Sequence, residues 1–265
     1  MEYKNKTVVK SMSLLNLFLN HERLTLNEMV QLLQAPKTSV YRMVGSFQKM
    51  GFLQKDTEGK YFLGLLFLQF GQLVSERLNI RNVVLPIMKE LRDSVNEAVN
   101  LIVRDDDDAV YIEKVDTSHP VRIYNSPGRR APMYAGACPR ILLSFMNSKE
   151  QVSYLHRVQL QPIGRNTITD LNELKRVLDE ARERGYSISH SELQNDTSAV
   201  AAPLLDHTGS VVAGLSIAGP TSRFSSDNIP DLINRLLIAA HSASRELGWN
   251  GLNAPWRIPN NSVLK

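Results

Sequence analysis

Cysteine is nearly missing from this chain. Cys138 is the single one in 265 residues, which excludes an internal disulfide and a Cys-rich zinc site and fits a reducing compartment. Long apolar runs are missing too, none approaching the roughly 18 residues a membrane span needs. Lys4, Lys6 and Lys10 are not followed by the apolar stretch of a cleavable leader. The expectation is a cytoplasmic protein with no membrane partner. Neither G-x-G-x-x-G nor G-x-x-x-x-G-K-[ST] occurs, so dinucleotide and nucleoside triphosphate cradles have no support and no cofactor is expected. A charge excess is also absent from most of the chain. Residues 1–80 carry ten Lys or Arg against six Asp or Glu, while the remainder holds 21 of each, so the whole formal +4 lies in the first third. A protein that neutralises phosphates needs its excess localised in this way.

With 43% hydrophobic and 22% charged residues the composition is that of a globular protein. The length admits one domain of about 70–80 residues and one of more than about 150. The reading is an α+β chain in four parts: a winged helix-turn-helix over 1–64, a linker helix over 65–80, an antiparallel sheet with flanking helices over 81–249, and a disordered tail over 250–265.

The first part carries the clearest signals. Thr7 to Asn20 places Val8, Val9, Met12, Leu15, Phe18 and Leu19 near one face of a leading helix. Leu26, Met29, Val30 and Leu33 share a face of the next, and Thr25 with Glu28 has capping-box spacing. After Gln34-Ala35, Pro36 favours a new helix start, followed by Val40, Met43, Val44 and Phe47 at helical spacing. Lys37, Thr38, Ser39, Tyr41 and Arg42 fall on the opposite face of its first turns, where a recognition helix meets base edges and phosphates. Gly51 ends the helix. Phe52–Lys55 and Lys60–Leu63, joined by Asp56-Thr57-Glu58-Gly59, read as a hairpin, the wing, with Lys55 and Lys60 placed for phosphates. Leu65 to Val74 is too apolar for a free linker and reads as a helix packed against a partner chain.

Beyond it, a helix spans about 80–94 with Pro86 as an awkward residue. Strands are expected at 99–103, 110–115, 121–125, 186–189, 199–205 and 211–217, and helices at about 137–146, 148–157, 170–184 and 226–247. The four aspartates Asp105 to Asp108 sit at a hairpin tip and splay apart, so no metal site is assigned to them. Small residues around Gly136 leave two readings open: tight packing, or close approach of a ligand to free N–H groups at a helix start. Gly214-Leu215-Ser216-Ile217-Ala218-Gly219 misses the G-x-S-x-G elbow by one residue. His190, Ser191 and Glu192 alternate faces on a strand and cannot converge as a triad.

The strings Lys10-Ser11-Met12-Ser13-Leu14-Leu15, Ala35-Pro36-Lys37-Thr38-Ser39-Val40-Tyr41-Arg42, Gly128-Arg129-Arg130 through Ala137 and Leu215-Ser216-Ile217-Ala218-Gly219-Pro220 together resemble the IclR family of bacterial transcriptional regulators, over residues 7 to about 248. The resemblance implies a GAF-like effector domain and a homodimer or homotetramer on double-stranded operator DNA. It also implies a response to a small metabolite, often a carboxylate. Family pocket positions correspond to Ile123, Met133, Tyr134, Ala137, Cys138, Glu192, Ala199, Ser216 and Ala218. Where many members have Gly-Lys after the small-residue turn, this chain has Pro139-Arg140, a departure that bears on the anion site. The expectation is a ligand-responsive regulator, of the repressor kind and not an enzyme. The alternative is a small-molecule-binding enzyme whose N-terminal helices bind a protein.

Overall fold

Thr25 and Glu28 cap each other as their spacing predicts. The Glu28 carboxylate accepts from the Thr25 N–H at 2.7 Å, and the Glu28 N–H donates to the Thr25 hydroxyl at 3.3 Å. This fixes the start of α2 (Leu26–Leu33), preceded by α1 (Lys6–Asn16) and a 3-10 turn at Leu17–Leu19. Gln34 then adopts φ 48°, a left-handed exit that turns the chain into α3 (Lys37–Lys49). Strands β1 (Leu53–Lys55) and β2 (Tyr61–Leu63) pair antiparallel, Leu53 facing Leu63, and Leu24 bridges to Tyr61 as a third partner. Helix α4 (Leu66–Arg77) follows. In this computed structural model residues 5–77, 80–123 and 125–252 are described, the side chains of 71, 72 and 74–77 excepted. The chain separates into two units, Met1–Arg77 and Leu78–Lys265.

The core of the first unit is built from Leu14, Phe18, Met29, Val40, Val44, Phe47 and Leu53. One expectation is corrected here. Of the expected face Leu15 and Phe18 are buried, but Val8, Val9, Met12 and Leu19 are exposed, and Leu14 turns inward as well. The inward face of a short helix is set by where its neighbours touch it, and α2 and α3 meet α1 near its C-terminal end. At the start of α4 the described side chains divide between a packed and an exposed set. Phe67 packs edge-on against Phe52 at 5.3 Å, while Leu65, Leu68 and Leu73 are more than half exposed.

The second unit is a six-stranded antiparallel sheet between two helical layers. Helix α5 (Ile80–Val95) runs unbroken through Pro86. The strands are β3 (Ala98–Asp105), β4 (Asp108–Val115), β5 (Arg130–Pro132), β6 (Ser187–His190), β7 (Thr197–Leu205) and β8 (Val211–Pro220), in the spatial order β5-β4-β3-β8-β7-β6. Between β5 and β6 come α6 (Ala137–Ser144), α7 (Ser148–Arg157) and α8 (Leu171–Arg184), and α9 (Ile229–Glu246) closes the unit. Period-2 alternation divides the sheet. Val99, Leu101, Val200, Leu215 and Ile217 pack with α5 and α9, whereas Ile102, Tyr111 and Ala201 pack with α6, α7 and α8.

The strand expected at 121–125 is not formed over the described residues, Tyr124 lying outside them. Prolines at 120 and 127 bracket the segment, and the sheet edge beside β4 is taken by Arg130–Pro132, which pairs with Asp108–Val110. At the β3–β4 tip, Arg130 bridges Asp105 (2.6 Å) and Asp108 (2.9 Å) and Arg157 holds Asp107, so these carboxylates are matched by arginines. The expected disordered tail falls mainly on 253–265, outside the described residues. Among those described, no helix is long and apolar enough to cross a membrane.

Candidate functional sites

Helix α3 divides its side chains as its sequence period requires. Val40, Val44 and Phe47 are buried, while Lys37, Thr38, Tyr41 and Arg42 are exposed and Ser39 is half-buried. Pro36 has no N–H and supplies no side-chain cap; its carbonyl takes the N–H groups of Ser39 (2.9 Å) and Val40 (3.1 Å). The first-turn amides of Lys37 and Thr38 are therefore left over within the helix, at its positive end. Among the described residues neither Lys37 nor Arg42 has a carboxylate partner, so both charges face solvent unpaired.

The wing treats its two lysines differently. Asp56 organises the turn by accepting from the N–H groups of Glu58 (3.0 Å) and Lys60 (2.9 Å), and Gly59 takes φ 85°. These bonds, the Lys60 amide first, hold the Asp56 carboxyl below its ordinary range. Lys55 is exposed, its ammonium 5.3 Å from the Tyr61 ring centroid. Lys60 instead lies 3.1 Å from Glu58, whose hydrogen bond and charge hold the ammonium above its ordinary range. Arg23, which the sequence reading did not single out, ties the segment before α2 to the wing by its 3.0 Å pair with Asp56 and its approach to Phe62. No local pattern marks a contact between residues 33 positions apart.

The second unit holds a small cleft, about 40 Å³, between the sheet and the start of α6. It gathers Ile123, Ala137, Cys138, Glu192, Ala199, Ser216 and Ala218 from the expected set. Met133 and Tyr134 are not on its wall. Met133 is fully buried in the core beside α6, and the Tyr134 hydroxyl exchanges hydrogen bonds with the backbone of Gln161 at 2.9 and 3.0 Å. The cleft also brings in Asn100, Tyr111 and Arg129, which the sequence reading did not assign.

Backbone approach explains its shape. A side chain on Gly214 would place its Cβ 2.7 Å from the Cys138 sulfur, so glycine lets α6 lie close on β8. Gly136 precedes α6 at φ 87°, and a Cβ there would meet Leu193 at 2.5 Å. Of the two readings open for this turn, a free N–H for an anion does not hold at Gly136, whose N–H donates to the Glu192 carboxylate at 3.0 Å. The same carboxylate pairs with Arg140, which is 1% exposed and also donates to the Ile188 carbonyl. Glu192 is held in place by its own backbone, whose carbonyl accepts from Gly164 N–H (3.0 Å) and from the Thr167 hydroxyl (2.7 Å). The anion position at the head of α6 is thus filled by the chain's own carboxylate, with Arg140 as its counter-ion.

Burial pushes the Cys138 thiol up to about 12, with a hydrogen bond from Ser216 opposing the shift. A thiol so placed is not a nucleophile near neutral pH. Burial likewise raises the Tyr111 phenol to about 12. Arg129 stands over the Tyr111 ring at 5.7 Å and bonds the Asn125 side chain, with no carboxylate partner among the described residues. His190, on β6, bonds Ser198 at 2.8 Å and Ser198 bonds Thr221, a chain that includes neither Ser191 nor Glu192.

Residues 7–57 match the IclR helix-turn-helix domain and residues 72–245 match the bacterial transcriptional regulator IclR C-terminal domain. The chain is 50% identical over 249 residues to the HTH-type transcriptional regulator KipR of Bacillus subtilis, covering 94% of this chain and all of that protein. It is 30% identical over 217 residues to the HTH-type transcriptional repressor AllR of Klebsiella pneumoniae, covering 82% and 80% respectively. In fold it is similar to the crystal structure of a regulator of this type from Silicibacter sp. TM1040, with a TM-score of 0.84 at 21% identity over 95% of this chain and 99% of that one. Two family domains in the expected order, with near full-length identity to a regulator, make this chain a member of the IclR family of bacterial transcriptional regulators.

Proposed function

We propose that this regulator is a cytoplasmic repressor that reads its operator with Lys37, Thr38, Ser39, Tyr41 and Arg42 in the major groove and places Lys55, with a lesser share from Lys60, on wing phosphates. Residues 1–64 serve as the DNA-binding domain, 65–80 as the linker helix and 81–249 as the effector domain. A small carboxylate metabolite enters the cleft lined by Ala137, Cys138, Ser216 and Ala218 and changes operator affinity. The acting species is a homodimer or homotetramer joined through the linker helix, where Leu65, Leu68 and Leu73 leave apolar surface bare. Two heads on such an assembly read half-sites about 34 Å apart, or a multiple of it. A repressor role is supported by the name of the Klebsiella relative.

The observation that carries this reading is the first turn and a half of α3, where Lys37, Thr38, Tyr41 and Arg42 face solvent beside the half-buried Ser39, on a helix whose other face is core. Binding of the purified full chain to its own upstream DNA, measured between about 50 and 200 mM salt, tests it. The expected result is a steep linear fall of log affinity with log salt and tighter binding to one palindromic fragment than to random DNA. Weak, salt-independent binding overturns it.

A further inference from the structure

Asn100 is out of place by any accounting of buried polar groups. It lies on central strand β3, 1% exposed, opposite Ser216 on β8 and Lys114 on β4. Both Nδ2 and Oδ1 are buried and neither has a hydrogen-bond partner among the described residues. Its flanking residues Val99 and Leu101 belong to the core under α5 and α9, so alternation turns Asn100 to the opposite face, where it lines the cleft. Its polar neighbours there are otherwise engaged. Ser198 bonds His190, and Glu192 is held by Arg140 and Gly136. A buried amide without partners destabilises the empty protein, and a valine, leucine or alanine would serve the core better at this position.

We infer that Asn100 is the specificity-determining residue of the cleft, and that the effector carries a hydrogen-bond donor beside an acceptor, as a primary amide, a cis amide or an α-hydroxy carbonyl group does. A carboxamide presents one donor and one acceptor side by side, and its complement is a ligand edge with the same pair reversed. The other end of the ligand is set by Arg129, the lining cation that no carboxylate among the described residues neutralises. This assignment rests on the reading of the cleft as a carboxylate effector site. The cleft of about 40 Å³ is lined by Asn100, and the ligand's polar edge supplies the bonds that the amide lacks. Discrimination of this kind is strong, because an analogue lacking the polar edge leaves the buried amide unpaired.

The test uses three acids of nearly equal size on the full chain: succinamate, with donor and acceptor at its far end; 4-oxopentanoate, in which a methyl group replaces the amide nitrogen; and pentanoate, with neither. Calorimetric titration of the wild type is expected to rank them in that order, succinamate binding at least about tenfold more tightly than 4-oxopentanoate. In Asn100→Leu the preference disappears, while its thermal midpoint without ligand rises by a few degrees because the orphaned amide is gone. A variant whose only loss was structural would melt lower and keep the ranking. Equal affinities for the three acids in the wild type, or an unchanged ranking in the variant, overturn the role of Asn100 and leave the carboxylate cleft standing. Failure of all three to bind the wild type overturns both.

Discussion

The two units put their charged side chains to opposite uses. On α3 the cations Lys37 and Arg42 lie in water with no acid beside them among the described residues, each carried on a helix that packs without their help. At the head of α6, beside the cleft, one ion pair is buried: Arg140 is 1% exposed, Glu192 is 6% exposed, and each is the other's counter-ion. An exposed cation contributes almost nothing to stability and keeps its whole charge for a partner. A buried one is bound to its neighbour, so removing it injures the fold before it reports on function. Charge and stability are therefore separable on α3 and inseparable at the Arg140–Glu192 pair.

Arg140→Ala should break this contrast most forcefully. It leaves the Glu192 carboxylate buried without its counter-ion, a loss of about 3–5 kcal/mol, equivalent to a fall of about 10 °C or more in the melting temperature of a domain this size. Thermal denaturation of the full chain checks it, and a loss below about 1 kcal/mol would place this pair among surface-like ones. Arg42→Ala is the opposite case. Alanine is the best helix former, and no packing is lost at this exposed position, so the melting temperature stays within about a degree. Operator affinity falls by about 1–3 kcal/mol, roughly tenfold to a hundredfold, if Arg42 meets a base edge. Unchanged affinity at low salt excludes it from the interface.

The contrast also explains what could be read from the chain alone. The capping box at Thr25 and the two faces of α3 are local, set by residues within one or two helical turns. Their sequence signals therefore survive into the structure. Outward apolar residues of α1 could not be told from inward ones, because Val8, Val9 and Met12 keep a helical period whichever side the neighbouring helices cover. The sequence predicts a strand at 121–125, yet the sheet edge is formed by the three residues Arg130–Pro132 with a single buried side chain, too short a run to carry a period. In the cleft, the small residues came through the family resemblance, and the Arg140–Glu192 pair spans 52 positions that no local spacing encodes. Asn100 did leave a signal. A polar residue between Val99 and Leu101, on a strand buried on both faces, falls by alternation on the opposite buried face and has to be accounted for.

The finest version of the comparison lies within the wing, where one lysine behaves like the head and its neighbour partly like the cleft. Lys55 has no acidic partner among the described residues, while Lys60 lies 3.1 Å from Glu58. A cation that displaces counterions from DNA reduces the magnitude of the salt slope by about one when it is removed. Lys55→Ala should show that full reduction across the operator titration. Lys60→Ala should show a smaller one, because Glu58 already neutralises much of its charge before DNA arrives. Glu58→Gln then sharpens the difference: it releases Lys60, steepens the salt dependence and makes a subsequent loss of Lys60 cost as much as the loss of Lys55. Equal slopes for Lys55→Ala and Lys60→Ala in the wild-type background would mean that the Glu58 pair opens on the operator, and that the two lysines meet the backbone as equivalent charges.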